Sequence, residues 1–256
     1  MCQGDRTVYP GRCDMNLGSE FDSDPWKRAA AAAAVSLVTD GMIVGLGTGS
    51  TATFAIESLA SRMRQGLTFL GIPSSDRSAA LATALGIRLT TFASHPQIDL
   101  TIDGADEVER GTLNLVKGLG GALLHEKIVA ASSGRLAIIV DGSKLVDRLG
   151  SHAPVPVEVV AFGLETTRTR LEALGATVAM RCTPEGSVFC TDSGNRILDC
   201  RFGPIFDPAG LEERICRVVG VVECGLFVGL ADVVFMGDAS GVTRLERSHR
   251  QATPGR

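Results

Sequence analysis

Met42-Ile-Val-Gly-Leu-Gly-Thr-Gly-Ser-Thr51 joins a short apolar run to a turn rich in glycine and hydroxyls, and Phe54, Ile56, Leu59 and Met63 follow at helical spacing. Strand, tight turn and helix in that order make half of a β-α-β unit. The same alternation continues on both sides. Asp24-Pro25 is a helix start, with a capping acid before a proline at the first helical position. The alanines after it carry the helix to Thr39. Leu67 to Ile72 reads as a strand, and Ser74-Ser75-Asp76 caps a helix through Leu85. Ile87 to Phe92 and Leu100 to Asp103 read as further strands, Leu113 to Val116 as an apolar run and Ala122 to Ala131 as a helix. Leu136 to Val140 is a strand ending at Asp141-Gly-Ser-Lys144. The fold class expected is α/β, a Rossmann-like, mostly parallel sheet flanked by helices. Ligands of such sheets bind beyond the carboxyl ends of the strands, where each polar cluster of this region falls.

The pattern changes near Gly150. Pro154 and Pro156 read as a linker. Thr166 to Leu174 and Pro208 to Val219 are expected helices, and Thr177 to Met180 and Val221 to Phe227 expected strands. Ser187 to Thr191 and Arg196 to Cys200 read as a hairpin around Asp192-Ser-Gly-Asn195. Together these make a smaller α+β, ferredoxin-like module. Asp232 to Met236 then returns to the first sheet, so the module is an insertion. The expected division is a catalytic α/β domain at 24–149 plus 228–246, an inserted domain at 150–227, and disordered stretches at 1–23 and 247–256.

Composition excludes several classes of function. The chain has 256 residues, 45% of them hydrophobic, and a net charge of -4 with no basic stripe. Nothing there suits a nucleic-acid surface. No apolar run approaches the roughly 18 residues that span a bilayer. The seven cysteines are odd in number, scattered and never in a Cys-x-x-Cys pair, which argues against a disulfide framework and fits a reducing, cytoplasmic setting. The four histidines have no metal-ligand spacing, so they give no sign of a metal site.

Four motifs carry chemistry. In Gly47-Thr-Gly-Ser-Thr51 the glycines let the backbone approach an anion, and the helix end supplies amides, so the turn is a phosphate cradle or a plain serine-capped turn. Ser50 stands where a dinucleotide fingerprint has its third glycine, and no Gly-Lys-Ser/Thr follows to make a P-loop. Asp103 and Asp106, in Thr101-Ile-Asp-Gly-Ala-Asp-Glu107, are acid and base or helix caps. A metal shell is disfavoured, since no nearby histidine or further acid completes it. Lys117-Gly-Leu-Gly-Gly121 sets a lysine beside glycine amides, a place for a developing oxyanion. Glu126 is a general base if a closed cleft raises its pKa, or a solvated surface charge. Lys127 is the more typical surface residue. Lys144 is a second anion ligand or a surface lysine.

Taken in order, these residues resemble the ribose-5-phosphate isomerase A family. The resemblance spans about residues 25 to 245. It rests on Gly45-Leu-Gly-Thr-Gly-Ser-Thr51, Asp103-Gly-Ala-Asp-Glu107, Lys117-Gly-Leu-Gly-Gly-Ala-Leu-Leu-His-Glu-Lys127 and Asp141-Gly-Ser-Lys144. Pro156-Val-Glu-Val159, Thr191-Asp-Ser-Gly-Asn195, Ile197-Leu-Asp199 and Gly225-Leu-Phe227 add support. It implies aldose-ketose interconversion of ribose 5-phosphate and ribulose 5-phosphate through an enediolate, without a cofactor. It also implies a homodimer or homotetramer. Glu126 matches the family's base, Lys117 its enediolate stabiliser and Asp103 its aid to ring opening. Thr48, Gly49, Ser50, Thr51 and Lys144 match the phosphate site, with Lys27 a further ligand. Asp103, Gly104, Ala105, Asp106, Lys117, Gly118, Leu119 and Gly120 would line the sugar site. Leu119 and Ser193 depart from the family pattern, and Ser193 is expected to lie far from the chemistry. A coenzyme A transferase using a glutamate nucleophile and a non-catalytic sugar-phosphate sensor are the competing readings. The lysine-to-glutamate spacing favours the isomerase over the first. The retained acid-base residues favour it over the second.

Overall fold

The computed structural model describes residues 24–247. The stretches expected to be disordered lie outside these residues except for Arg247, whose guanidinium donates to the Ala231 carbonyl at 2.6 Å. The central sheet has six strands: β1 (Ile43–Leu46), β2 (Leu70–Pro73), β3 (Leu100–Asp103), β6 (Leu136–Asp141), β13 (Val233–Asp238) and β14 (Gly241–Glu246). Their order across the sheet is β14-β13-β6-β3-β1-β2. All neighbours run parallel except the β13–β14 hairpin at one edge.

Side-chain alternation along the strands feeds two cores. Ala137, Ile139, Val233 and Phe235 pack towards α1 (Asp24–Val35) and α2 (Ser50–Arg64). Leu136, Ile138, Val140 and Val234 pack on the opposite side with Ala130 of α4 (Leu123–Ala131) and with Phe227. The chain leaves β1 for the sheet edge at β2, by way of α2, and returns through α3 (Asp76–Ala84) to β3 on the other side of β1. That reversal opens a crevice at the carboxyl ends of β1 and β3, the switch point of a doubly wound sheet.

A second sheet holds β8 (Val155–Val159), β9 (Thr177–Met180), β10 (Arg196–Arg201) and β11 (Val221–Cys224) in the order β11-β8-β10-β9, all antiparallel. With α5 (Leu164–Glu172) and α6 (Pro208–Cys216) the chain runs β-α-β-β-α-β, the ferredoxin-like arrangement. A third, small sheet joins the two bodies. It contains β4 (Glu107–Glu109), β5 (Leu115–Val116), β7 (Leu145–Val146) and β12 (Leu226–Phe227), in the order β12-β5-β4-β7. Gly225 is the crossing between β11 and β12. Its amide donates to the Pro156 carbonyl at 2.7 Å, and its carbonyl accepts from the Lys117 amide at 2.9 Å. A Cβ there would meet Pro156 Cδ at 2.8 Å, so only glycine fits.

Several expectations are corrected. The first helix stops at Val35 and loosens through short turns to Val38. Ile87 to Phe92 makes a single bridge, Leu89 to Gly71, rather than a strand. The Pro154-Val-Pro156 stretch is not a linker, since Pro156 is the second residue of the buried strand β8. Its carbonyl points towards Gly225, so its missing N–H falls just past the last β11 pairing, at Cys224, and no ladder bond is lost. β10 pairs with β8 and β9, whereas 187–191 contributes one bridge, Val188 to Cys182. The apolar run from Val221 to Phe227 divides at Gly225 between two sheets, and β14 was not anticipated.

Candidate active site

The site forms where β1 and β3 end. Asp103, the last residue of β3, is 1% exposed. Its Oδ1 accepts the Thr48 amide at 3.0 Å and the Gly104 amide at 2.8 Å. A Cβ on Gly47 would sit 2.6 Å from Asp103 Cα, so glycine at 47 lets the turn close against that carboxylate. β5 delivers Lys117 from the opposite side, 2% exposed. Its ammonium reaches Asp103 Oδ2 at 3.1 Å, Glu126 Oε1 at 3.0 Å and the Gly104 carbonyl at 2.7 Å, which accounts for all three of its protons.

Glu126 sits on the first turn of α4 and is 4% exposed, so it is not a solvated surface charge. Its Oε1 meets Lys117, while its Oε2 is buried and has no hydrogen-bond partner among the described residues. Burial pushes the Glu126 carboxyl up to about 7, helped by the nearby Asp103 and opposed by Lys117. Burial alone would lower Lys117, but the Asp103 and Glu126 carboxylates outweigh it and raise its pKa, so the lysine stays charged. A cation held among acids beside a half-satisfied carboxylate can stabilise an oxyanion while the carboxylate moves a proton.

Asp106 faces the same loop. Its Oδ2 accepts the Leu119 amide at 2.9 Å. Burial raises its pKa against the Leu119 amide and the charges of Lys117, Lys144 and Arg181. Lys144 ends the short 3-10 turn Gly142–Lys144 that follows β6, the strand beside β3, and is partly buried. Gly118 needs its φ of +103°, and a Cβ on Gly120 would touch Thr48 Cγ2 at 4.0 Å, so the 118–121 turn lies against the 47–51 turn. Gly104 and Ala105 lie partly buried between them, and Leu119 is exposed.

α2 begins at Ser50 with no side-chain cap, so its first amides have no intrahelical acceptors. Ser50 is exposed and Thr51 partly so. Thr48 differs from its neighbours. Its amide is taken by Asp103, and its hydroxyl lies 2.7 Å from Ser75 Oγ, 2.9 Å from Ser74 Oγ and 3.1 Å from Ser78 Oγ. Lys27 pairs with Asp24 at 3.8 Å on α1. The backbone of Trp26 beside it presses on Gly237, near the carboxyl end of β13.

The inserted module supplies residues that sequence reasoning missed. Arg181 forks onto Asp199 and donates to the Gly118 and Leu119 carbonyls at 2.7 and 2.9 Å. Ser193 is not far from the chemistry, because its hydroxyl meets His125 Nε2 at 2.9 Å, one residue before Glu126. Lys127 is likewise no free surface lysine. It bonds Glu212 at 2.7 Å and Glu223 at 2.8 Å. The serine triad at 74–78 carried a signal, since β2 lies parallel to β1 and their ends must align. Arg181 carried none, because its loop has no motif.

Comparison with known proteins gives one consistent picture. The family profile of ribose 5-phosphate isomerase A (phosphoriboisomerase A) matches residues 70–241. A ribose-5-phosphate isomerase A of Gloeobacter violaceus is 59% identical over 89% of this chain and 99% of its own. The solved ribose 5-phosphate isomerase A of Methanocaldococcus jannaschii is 40% identical, covers 88% of this chain and 100% of that one, and superposes with a TM-score of 0.85. A further D-ribose-5-phosphate isomerase, solved in complex with phospho-erythronic acid, is 36% identical with a TM-score of 0.85, covering 88% of this chain and 99% of that one.

Proposed function

The chain belongs to the ribose 5-phosphate isomerase A family, and we propose that Glu126, Lys117, Asp103 and Asp106 carry out its reaction. The enzyme interconverts D-ribose 5-phosphate and D-ribulose 5-phosphate in the pentose phosphate pathway. Such an isomerisation needs a base serving two adjacent carbons, a cation for the oxygen that becomes negative, and an anchor for the phosphate.

The observation that carries the assignment is Glu126, buried with one oxygen on Lys117 and the other without a partner. Its carboxylate takes the proton from C2 of the open-chain aldose, and the C1 carbonyl oxygen gains the charge. Lys117 stabilises that enediolate oxygen. Glu126 returns its proton to C1, and the C2 hydroxyl gives its proton to O1, leaving the ketose. Before this, Asp103 accepts the anomeric hydroxyl proton as the C1–O4 bond breaks, and the ring oxygen takes up a proton to become the C4 hydroxyl. Asp106, held by the Leu119 amide, grips sugar hydroxyls along with the 104–105 and 118–120 backbone.

The first-turn amides of α2 at Ser50 and Thr51, with Gly49, hold the phosphate, and Lys144 adds charge from the turn after β6 and Lys27 from α1. Thr48 shapes this turn through Asp103 and the serine cluster. Phosphate binding far from the reacting carbons supplies energy to position them. Phospho-erythronic acid, bound in the relative, carries a carboxylate and a phosphate at the two ends of a short polyol, and its carboxylate oxygens resemble the enediolate oxygens of the intermediate. A cytoplasmic location accompanies this reading. So does a homodimer or homotetramer, in keeping with Phe162 and Val219 standing 94% and 76% exposed.

The test is turnover. Purified protein should form ketose from ribose 5-phosphate, and Glu126→Gln should abolish it. An inactive wild type refutes the whole assignment, and an active variant removes Glu126 from the base role.

A further inference from the structure

Beside Lys127, one residue along α4 from Glu126, α6 and β11 bring two sulfurs together. Cys216 ends α6 and Cys224 ends β11, and their Sγ atoms are 4.0 Å apart. Cys216 is exposed, and Cys224 is fully buried. Cys216 lies on the wall of an open cavity of about 320 Å³, which also exposes Lys127, Glu212, Glu213 and Glu223. We propose that Cys216 and Cys224 form a redox site, a dithiol that closes to a disulfide by exchange with a small disulfide entering that cavity.

The two cysteines have unequal roles. The Cys216 thiol donates to the Cys224 sulfur, which lowers the Cys224 pKa against the effect of burial, and the Lys127 charge lowers it further. The same bond raises Cys216. The buried sulfur thus lies directly behind the accessible one, placed to resolve a mixed disulfide formed at the entry point. Closure needs the sulfurs to approach by about 2 Å from their present 4.0 Å. By contrast, Cys200 is buried and its thiol is pushed up to about 12.

The exchange balances in two steps. Cys216 attacks one sulfur of the incoming disulfide, forms a mixed disulfide, and its proton leaves with the first thiol. Cys224 then attacks Cys216 Sγ, and its proton leaves with the second thiol as that is expelled. The protein pair is oxidised by two electrons, and one disulfide is reduced to two thiols. Glu223 could complete a metal shell with the two sulfurs, but its Oε1 already takes Lys127 at 2.8 Å and the Cys224 amide at 2.8 Å. A cation beside that ammonium is disfavoured, so the dithiol reading is preferred.

Mass spectrometry of the full-length native protein with oxidised glutathione tests this, independently of isomerase activity. Wild type should lose two hydrogens and give a peptide cross-linked at Cys216–Cys224, reversed by dithiothreitol. Cys224→Ser should stop at one glutathionyl group on Cys216. Cys216→Ser should leave Cys224 unmodified. Three results would overturn the proposal: a persistent mixed disulfide on wild-type Cys216, equal alkylation of both thiols after treatment, or reactivity that appears only after a chelator strips a metal.

Discussion

Glu126→Gln should make the protein more stable at alkaline pH even as catalysis is lost. Burial raises the Glu126 carboxyl from 4.5 to about 7, so the folded protein holds this proton more tightly than the unfolded chain does. Within that window the folded state binds more protons, and stability therefore falls as pH rises from about 4.5 to 7. Above pH 7 the full cost is present. The interval from 4.5 to about 7 corresponds to about 3 kcal/mol at ~1.4 kcal/mol for each pH unit. Glutamine has the same shape, keeps an oxygen for Lys117 and carries no charge to bury, while Asp103 still pairs the lysine. The stability gap between variant and wild type should thus move by about 3 kcal/mol towards the variant between pH 4 and pH 8. Urea unfolding of both proteins across that range measures it. A gap that does not change with pH, or one that moves towards wild type, would mean that Lys117 outweighs burial and holds Glu126 ionised. The reasoning about its basicity would then fail.

Three further outcomes follow from the same geometry. With Glu126 titrating at about 7, kcat/KM for ribose 5-phosphate should fall about tenfold per pH unit on the acid side and level off above, which a pH-rate profile reads directly. Lys117→Met leaves Asp103 and Glu126 buried without their cation. It should cost about 3–5 kcal/mol in urea unfolding at pH 8 and lower kcat by at least about 100-fold. Arg181→Ala releases the Gly118 and Leu119 carbonyls and should lower kcat/KM by about tenfold, at about 1–3 kcal/mol in the substrate-turn region. Unchanged kinetics would show that the turn stands without the inserted module.

The parallel sheet was legible because apolar runs, turns and helical stripes alternate from Asp24 to Lys144, and each strand end carries its own polar cluster. Ile87 to Phe92 misled because alternation cannot tell a strand from an edge segment, and here Leu89 makes one bridge and is 36% exposed. Pro156 misled because its missing N–H faces β11 just past the end of that pairing, while β10 still pairs with it at Asp199, a fact of pairing and not of sequence. Strands such as Leu115–Val116 and Leu226–Phe227 are too short to carry any period. The residues proposed to line the site were readable as motifs. Their mutual geometry was not, and neither were supports such as Arg181, Ser78 and Ser193, which act through bonds to residues distant in sequence.

Gly225 has a consequence for how this chain can be rearranged. It ties the last strand of the inserted module to Pro156 and to the Lys117 backbone at once. Removing 150–227 would take away the Gly225 carbonyl that fixes Lys117, and with it β12 and Arg181. The α/β body alone would keep every acid and base yet lose the seat of its lysine. A chain break at the exposed Phe162 turn would leave that crossing intact. The insert is thus a keystone whose outer face can be cut while its inner crossing cannot.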